Sequence, residues 1–138
     1  MNTGEAKTLT VRADLKDIDR VRGFLRDHLR GFALAEEDVM KLELSLHEIF
    51  VNIAMYAYPG GEGEMSLRIW RERRTLHMEF RDRGIPFNPA EKPAPDLNEN
   101  IRQGTKGGLG IFLYKTLMDG CSYRREGGEN VLTIFKNV

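Results

Sequence analysis

LSLHEIFVNIAMYAYPGG, residues 44–61, carries the strongest structural signal in this 138-residue chain. Apolar residues recur through it at steps of three and four, in a stripe that starts upstream: Val39, Leu42, Leu46, Ile49 and Ile53. This spacing predicts a long amphipathic helix. Glu36 and Glu37 favour its first turn, and Pro59 with the two glycines after it predicts where the helix ends.

Two polar residues lie beside this stripe on the same helix. Glu48 and Asn52 are four residues apart, so their side chains share one face of the helix. Asparagine is a poor residue for a helix interior, and a polar side chain among apolar ones usually has a partner. One interpretation is that the Asn52 amide oxygen binds Mg²⁺, a hard cation that prefers oxygen, while Glu48 accepts a proton. The alternative is a solvated glutamate and an asparagine near a helix end.

Strands and helices are predicted on both sides of this helix. Alternating apolar residues indicate strands over Thr8–Ala13, Met65–Trp70, Leu76–Phe80, Cys121–Arg125 and Val131–Lys136. Helices are predicted over Leu15–Leu29, with Asp14 as its cap and Gly31 as its stop, and over Leu109–Met118. The order predicts one domain over residues 1–138 with an α+β fold: a two-layer sandwich with helices on one face of a mixed, mostly antiparallel sheet.

The composition excludes several classes of protein. A hydrophobic content of 41% and a charged content of 30% are ordinary for a globular protein. The 21 acidic and 21 basic residues balance, which gives no electrostatic reason to expect nucleic acid as a partner. No apolar run approaches the ~20 residues of a membrane span, and the N-terminus lacks the features of a signal peptide. The single cysteine, Cys121, fits a reducing compartment, so we expect a cytoplasmic protein.

Two further segments carry candidate chemistry. Asp82 and Gly84 follow the Leu76–Phe80 strand, where a carboxylate is able to accept a hydrogen bond from an exocyclic amine and a glycine lets the backbone approach a base. An ordinary Asp-x-Gly turn is the alternative. The second segment opens the last helix and consists of Lys106, Gly107, Gly108, Leu109 and Gly110. Unpaired N–H groups at a helix start bind phosphate, whereas a flexible hinge is the alternative.

These three motifs, in this order, resemble the ATP-binding fold shared by gyrase, the heat-shock chaperone ATPase, sensor histidine kinases and the mismatch-repair ATPase. The sequence is most similar to a short, free-standing branch, the bacterial anti-sigma-factor serine kinases. The matching text is residues 44–61, FRDRGIPFNP at 80–89, and GGLGIFLYKTLMDGCSYRREGGENVLTIFK at 107–136. The resemblance implies a Bergerat-type fold that binds ATP and Mg²⁺.

The resemblance also implies a role for each matching residue. Glu48 would be the general base, Asn52 the Mg²⁺ ligand, and Asp82 the residue that binds the adenine amino group beside Gly84. Lys106 would lie near the terminal phosphate. Backbone N–H groups of the glycine segment, at Gly108 and Gly110, would contact the phosphates, and Asn130 or Thr133 would help to hold adenine.

Three positions depart from the usual sequence of that branch. Pro86 replaces the second glycine of a D-x-G-x-G turn, although Pro-Phe also occurs there, and Tyr56 stands where histidine is frequent. Both bear on packing more than on phosphate chemistry. Asn130 stands roughly where threonine is usual, which leaves the adenine contact open.

The resemblance implies three functions of different kinds. The first is a serine/threonine protein kinase that phosphorylates a small anti-sigma-antagonist partner. The second is a non-catalytic module that sequesters a sigma factor or another signalling protein. The third, a detached catalytic domain of a histidine kinase, would need a separate chain to supply the acceptor histidine. The branch also implies a homodimer, and neither nucleic acid nor a membrane is expected as a partner.

Overall fold

The computed structural model describes residues 6–86 and 114–138. Along the chain they form β1 (Lys7–Arg12), a 3-10 turn (Leu15–Asp17), α1 (Ile18–Leu29), α2 (Glu36–Asn52), a π-helical turn (Ile53–Ala57), β2 (Glu64–Glu72), β3 (Thr75–Asp82), β4 (Gly120–Glu126) and β5 (Glu129–Asn137). Residues 114–117 are also helical, and they belong to the predicted Leu109–Met118 helix. Among the described residues, no helix has both the length and the apolar composition that crossing a bilayer requires.

The strands form one five-stranded sheet in the order β1-β2-β3-β5-β4. Every pairing among the described strands is antiparallel. The prediction of an α+β fold with a mostly antiparallel sheet is confirmed, and the described part of the sheet contains no parallel pair. Placing β5 between β3 and β4 sets the end of β3 directly beside the start of β5. The candidate site described below lies at these two adjacent strand ends.

The core lies between the helices and one face of the sheet. From the helices, the fully buried side chains include Val21, Leu25, Leu42, Leu46 and Phe50. Alternate residues of the strands meet them: Met65, Leu67, Ile69, Leu76, Met78, Phe80 and Ile134. Burial of each large apolar side chain contributes about 1.5–3 kcal/mol, so these contacts stabilise the packing of the helices on the sheet.

The helix ends follow the sequence signals in part. The Asp14 carboxylate accepts a hydrogen bond from the Lys16 backbone N–H at 2.9 Å, as its predicted capping role requires. The first turn after it is 3-10 rather than α, so α1 begins three residues later than predicted. At the other end of the helical layer, α2 changes at Asn52 into a π-helical turn that continues to Ala57. Such turns often accompany functional sites, because they re-aim the residues around them.

The other face of the sheet carries no described helix. A row of aromatic rings crosses it: Trp70 stacks on His77 at 4.9 Å between ring centroids, and His77 lies 5.9 Å from Phe135. The Phe135 ring continues over Gly120 on β4, where an added Cβ would lie only 2.0 Å from the ring. Strand alternation therefore assigns each residue of β5 either to this face or to the helical face.

His28 on α1 makes the stability of the fold depend on pH. Both of its ring nitrogens are buried and lack a hydrogen-bond partner among the described residues. Burial, and to a smaller extent the charge of Lys7, lowers the pKa of His28 below its ordinary value of 6.5. The unfolded chain therefore binds this proton more readily than the folded chain, and the free energy of unfolding is expected to decrease as the pH falls below about 6.5.

Chemical unfolding between pH 8 and pH 5 measures this dependence. His28→Leu should remove the component that begins near pH 6.5, whereas the same substitution at His47 on α2 should leave it in place. An identical pH profile for wild type and His28→Leu would contradict the assignment.

Candidate functional site

A pocket opens between α2 and the adjacent ends of β3 and β5. Its walls are mainly apolar and aromatic, and they include Ile49, Ile53, Ala57, Ile85, Tyr114 and Leu132. Polar groups also line the pocket: Asn52, Tyr56, Asp82, Tyr123 and Asn130. An apolar slot with a few fixed polar groups is the usual construction of a site for a planar ligand.

Asp82 and Asn130 form the polar floor of this pocket. They are direct partners in the register of β3 and β5, and each residue is only 6% exposed. The Asn130 Nδ2 group donates one hydrogen bond to Asp82 Oδ1 at 2.9 Å and another to the Ile85 carbonyl at 2.7 Å. A buried carboxylate is thus held by a buried amide, with one carboxylate oxygen, Oδ2, outside these bonds.

The turn after β3 is fixed by three hydrogen bonds that come from two sides. The Arg83 N–H donates to the Tyr58 hydroxyl at 2.8 Å, and the Ile85 N–H donates to the Ala57 carbonyl at 2.9 Å, so the end of the helical layer holds one side. The Arg125 guanidinium on β4 donates to the Gly84 carbonyl at 2.8 Å from the other side. Because these contacts set the backbone before any ligand arrives, the Asp82 carboxylate is preorganised.

Two glycines make this arrangement sterically possible. A Cβ on Gly84 would lie 2.3 Å from the Ala57 carbonyl oxygen, so only glycine permits the turn to pack on the π-helical segment. A Cβ on Gly63 would lie 2.2 Å from the Tyr58 ring, whose hydroxyl also donates to the Glu64 carbonyl at 2.5 Å. The structure therefore gives Gly84 a packing role against Ala57 in addition to any proximity to a ligand.

The electrostatics of Asp82 reflect this burial. Burial raises the pKa of Asp82 above its ordinary value, although hydrogen bonds from Asn130 and the Gly84 N–H, with the nearby charge of Arg125, favour the carboxylate. A raised pKa means that the ionised side chain costs folding free energy at neutral pH. A carboxylate kept at such a cost, in a pocket, is typical of a ligand-binding group.

The predicted helix residues lie around the pocket as follows. Asn52 lines the pocket at the junction of α2 with the π-helical turn, and Tyr56, the residue at the frequent histidine position, lines it one turn later. Glu48 is half-buried on α2, one turn before Asn52, and is not part of the pocket wall. The structure thus brings together Asn52, Asp82 and Asn130, with Glu48 beyond them along the helix.

The two alternatives for the additional adenine contact lie on opposite faces of β5. Asn130 and Leu132 line the pocket, whereas Thr133, on the alternate set of positions with Phe135, faces away from the helices, between Glu79 and Ser122. Of the two residues, Asn130 is therefore the one that lines the pocket. The five residues of the predicted phosphate segment lie outside the described residues: Lys106, Gly107, Gly108, Leu109 and Gly110.

Sequence reasoning missed three residues that build the site. Tyr58 and Arg125 fix the turn after β3, and Tyr123 on β4 donates a hydrogen bond from its hydroxyl to Asn130 Oδ1 at 2.6 Å. Tyr58 lies within the 44–61 stretch, but the residues that it contacts, Gly63 and Arg83, lie outside that stretch. Tyr123 and Arg125 alternate on a predicted strand, and their roles depend on the register of β4 with β5.

Substituting Gly84 with alanine is expected to loosen the turn. The introduced methyl group meets the Ala57 backbone rather than a flexible side chain, so the turn must shift at a cost of about 1–3 kcal/mol of stability. The shift moves the Asp82 carboxylate, and ligand affinity should fall together with the melting temperature. Gly61→Ala is the matched control, because nothing lies within 4 Å of a Cβ there. Calorimetric melting in which both variants match wild type would contradict this packing role.

Comparison with known proteins agrees with this geometry. Residues 11–136 match the histidine kinase-like ATPase domain family. The chain is 30% identical over 94 residues to the serine/threonine-protein kinase BtrW of Bordetella bronchiseptica, covering 67% of this chain and 66% of that protein. It is 31% identical over 106 residues to the serine-protein kinase RsbW of Bacillus mycoides, covering 74% of this chain and 65% of that protein. The matched region thus spans just under two thirds of these relatives.

Solved structures support the fold at lower identity. The structure of the RsbU and RsbW domains of Rv1364c from Mycobacterium tuberculosis superposes with a TM-score of 0.65 at 14% identity, over 97% of this chain and 32% of that one. The Acinetobacter baumannii histidine kinase AdeS gives a TM-score of 0.52 at 16% identity, over 95% of this chain and 68% of that one. Since the family match extends over nearly the whole chain and the pocket has the expected carboxylate, the protein belongs to the histidine kinase-like ATPase domain family and is distantly related to the RsbW and BtrW serine kinases.

Proposed function

We propose that the chain binds ATP with the adenine in the pocket between α2 and the ends of β3 and β5. The observation that carries this proposal is the Asp82 carboxylate, buried on the pocket floor with Oδ1 already bonded and Oδ2 remaining. An acceptor fixed in this way pairs with an exocyclic amino group such as the adenine 6-amino group. The apolar walls supply the surfaces on which a flat base packs.

We propose that Mg²⁺ accompanies the nucleotide and that Asn52 holds it. An amide oxygen on the pocket wall is a hard ligand of the kind that Mg²⁺ prefers, and Mg²⁺ typically takes only one or two protein ligands beside phosphates and water. Bound there, the ion would neutralise charge on the phosphates. Lys106 and the backbone of Gly107–Gly110 complete the phosphate site in this proposal, as their sequence positions imply.

We propose that the biochemical activity is serine/threonine phosphorylation of a small antagonist protein in a bacterial partner-switching circuit. Glu48 lies one helical turn from Asn52, where it would accept the proton of a serine hydroxyl as the oxygen attacks the γ-phosphorus. The bond from the γ-phosphorus to the bridging oxygen would break in the same transfer, and ADP would leave. The names of the RsbW and BtrW relatives support this reaction class. In this proposal the protein acts in the cytoplasm, as a homodimer, on an antagonist or a sigma factor.

Phosphoryl transfer tests this proposal directly. The protein is incubated with Mg²⁺, γ-labelled ATP and its antagonist protein, and the label is followed on the antagonist. Transfer to a serine or threonine is expected, and no transfer from a protein that still binds ATP would overturn the kinase proposal.

A sequestering module is the second candidate function, and the position of Glu48 is compatible with it. Glu48 is outside the pocket wall, so nucleotide binding in the pocket does not by itself require a catalytic base. A sequestering module would bind its protein partner and regulate it without any transfer of phosphate.

A further inference from the structure

The helical layer is apolar on two opposite sides of α2. The inner side carries Leu42, Leu46 and Ile49, which are buried in the core. A second series recurs at steps of three and four along α2 and into the π-helical turn: Met40, Leu44, His47, Val51 and Met55. Each helical residue is rotated by about 100° from the one before it, so this second series points away from the core. Its four apolar members are called the outer row below.

The outer row is exposed to solvent. The exposed fraction is 55% for Met40, 41% for Leu44 and 53% for Met55. Leu15, which is 48% exposed, extends this surface, because Leu15 and Met55 line the same groove. Of the six large hydrophobic side chains exposed in the described part of the chain, four therefore belong to one surface. Scattered exposed apolar side chains are ordinary, whereas a contiguous series of them is typical of a docking surface.

Acidic side chains flank the outer row on both sides. Glu36 and Glu43 lie along one side of it, and Glu37 and Glu48 lie along the other. Glu37 and Glu43 each have a basic partner within the chain. Over its whole length, however, α2 contains five acidic residues and one basic residue, which gives it a net charge of −4. An apolar row with acidic flanks favours a basic partner.

Charge also decides between a second copy of this chain and a different protein. A two-fold contact between copies sets one surface against the same surface of the other copy. At the outer row, this contact would bring the acidic flanks of one α2 against those of the other, and like charges across an interface cost free energy. A helix with one apolar face and lysine or arginine beside that face has the complementary pattern.

We propose that the outer row is a docking surface for a basic amphipathic helix of a partner protein. This inference goes beyond the proposed nucleotide site, because the outer row faces away from the core and docking on it requires neither ATP nor phosphoryl transfer. The two sites are nevertheless neighbours. Glu48 is one of the flanking acids, so a partner docked on the outer row would lie beside the proposed catalytic base.

Synthetic peptides about 18 residues long test this inference, because that length suffices for an amphipathic helix. The probe peptide has leucine on one face and lysine on the other. One control peptide keeps the leucine face and has glutamate in place of lysine, and a second has the composition of the probe in an order that abolishes the leucine face. Each peptide is titrated calorimetrically into wild type, Leu44→Met and the double variant Met40→Gln/Leu44→Gln, and thermal melting establishes that each protein is folded.

The probe is expected to bind wild type and Leu44→Met at least about tenfold more tightly than the double variant, since only the double variant loses the apolar contacts. Both control peptides should bind wild type at least about tenfold more weakly than the probe does. Equal affinity of the probe for wild type and the double variant would overturn the inference. Equal affinity of wild type for the lysine and glutamate peptides would also overturn it.

Methionine methyl signals in NMR spectra locate the bound peptide. In protein labelled with ¹³C at these methyl groups, Met40 and Met55 report on the outer row, and the buried Met65 and Met78 are internal controls. The probe should shift the first two signals and leave the other two in place. Unshifted Met40 and Met55 signals at saturating peptide would show that the peptide binds elsewhere, which would overturn the inference.

Sedimentation and an ATP titration distinguish the remaining outcomes. A wild-type dimer that becomes a monomer in the double variant would assign the outer row to a contact between copies, and the inference would then be wrong. A protein that binds ATP but not the probe would overturn the docking inference alone. A protein that binds the probe but not ATP would overturn the proposed function alone.

Discussion

Replacing Asp82 with asparagine is expected to weaken ATP binding about a hundredfold or more while the protein stays folded. The introduced amide oxygen can still accept the hydrogen bonds from Asn130 and the Gly84 N–H that now end on Oδ1. The amide nitrogen then occupies the place of Oδ2 and points a donor at the adenine amino group. A hydrogen bond to a charged group is lost, and two donors oppose one another.

Three measurements check this prediction. Isothermal titration should show the loss of ATP affinity, and inosine triphosphate should become the preferred nucleotide because its 6-carbonyl accepts from the introduced amide. Thermal melting should show a stability equal to or above that of wild type, since burial already raises the pKa of Asp82 and makes its charge costly. Unchanged ATP affinity in a folded Asp82→Asn protein would contradict the base-binding role.

The substitution Glu48→Gln is expected to slow phosphoryl transfer strongly while leaving nucleotide binding intact. The amide has the shape of the carboxylate but no longer accepts a proton, and a positioned general base contributes about 10²–10⁴ in rate. Glu48 is not part of the pocket wall, so ATP affinity should stay within about threefold of wild type.

The rate of label transfer to a partner serine, beside a binding titration, measures this effect. Glu37→Gln is the matched control, because Glu37 lies on the same helix but its side chain is 72% exposed, paired with Lys41 at the start of α2. Equal transfer rates for Glu48→Gln and wild type would exclude Glu48 as the base. Partner regulation that persists without transfer in Glu48→Gln would favour the sequestering module.

Much of the fold follows from local patterns that the sequence carries. The α2 stripe predicts its helix because buried positions such as Leu42, Leu46 and Ile49 recur at the helical period. The strands were predictable because buried apolar residues recur in them at every second position. Local patterns do not tell which strands pair with each other, so the insertion of β5 between β3 and β4 is known only from the structure.

The site was predictable to the extent that it consists of local motifs. Asp82 and Asn52 occur in recognisable turns and helices, and both line the pocket. Asn130 and Thr133 could not be separated from sequence, because the choice depends on which face of β5 meets the helices. Tyr123 was invisible for a related reason: its hydrogen bond to Asn130 crosses between neighbouring strands.

The turn after β3 illustrates why function and packing share residues here. Gly84 is needed to avoid the Ala57 carbonyl, and the same close contact lets Ala57 accept the Ile85 N–H. Arg125 and Tyr58 then secure the turn from two sides. The rest of the fold stabilises a buried carboxylate in one geometry, which is what recognition of a base amino group requires.

A crystal structure with Mg²⁺ and a non-hydrolysable ATP analogue would show where the nucleotide binds. We expect the adenine between the apolar walls, with its 6-amino nitrogen within hydrogen-bonding distance of Asp82 Oδ2 and Asn130 still bonded to Asp82. Adenine bound elsewhere, or turned so that Asp82 contacts no amino group, would contradict it.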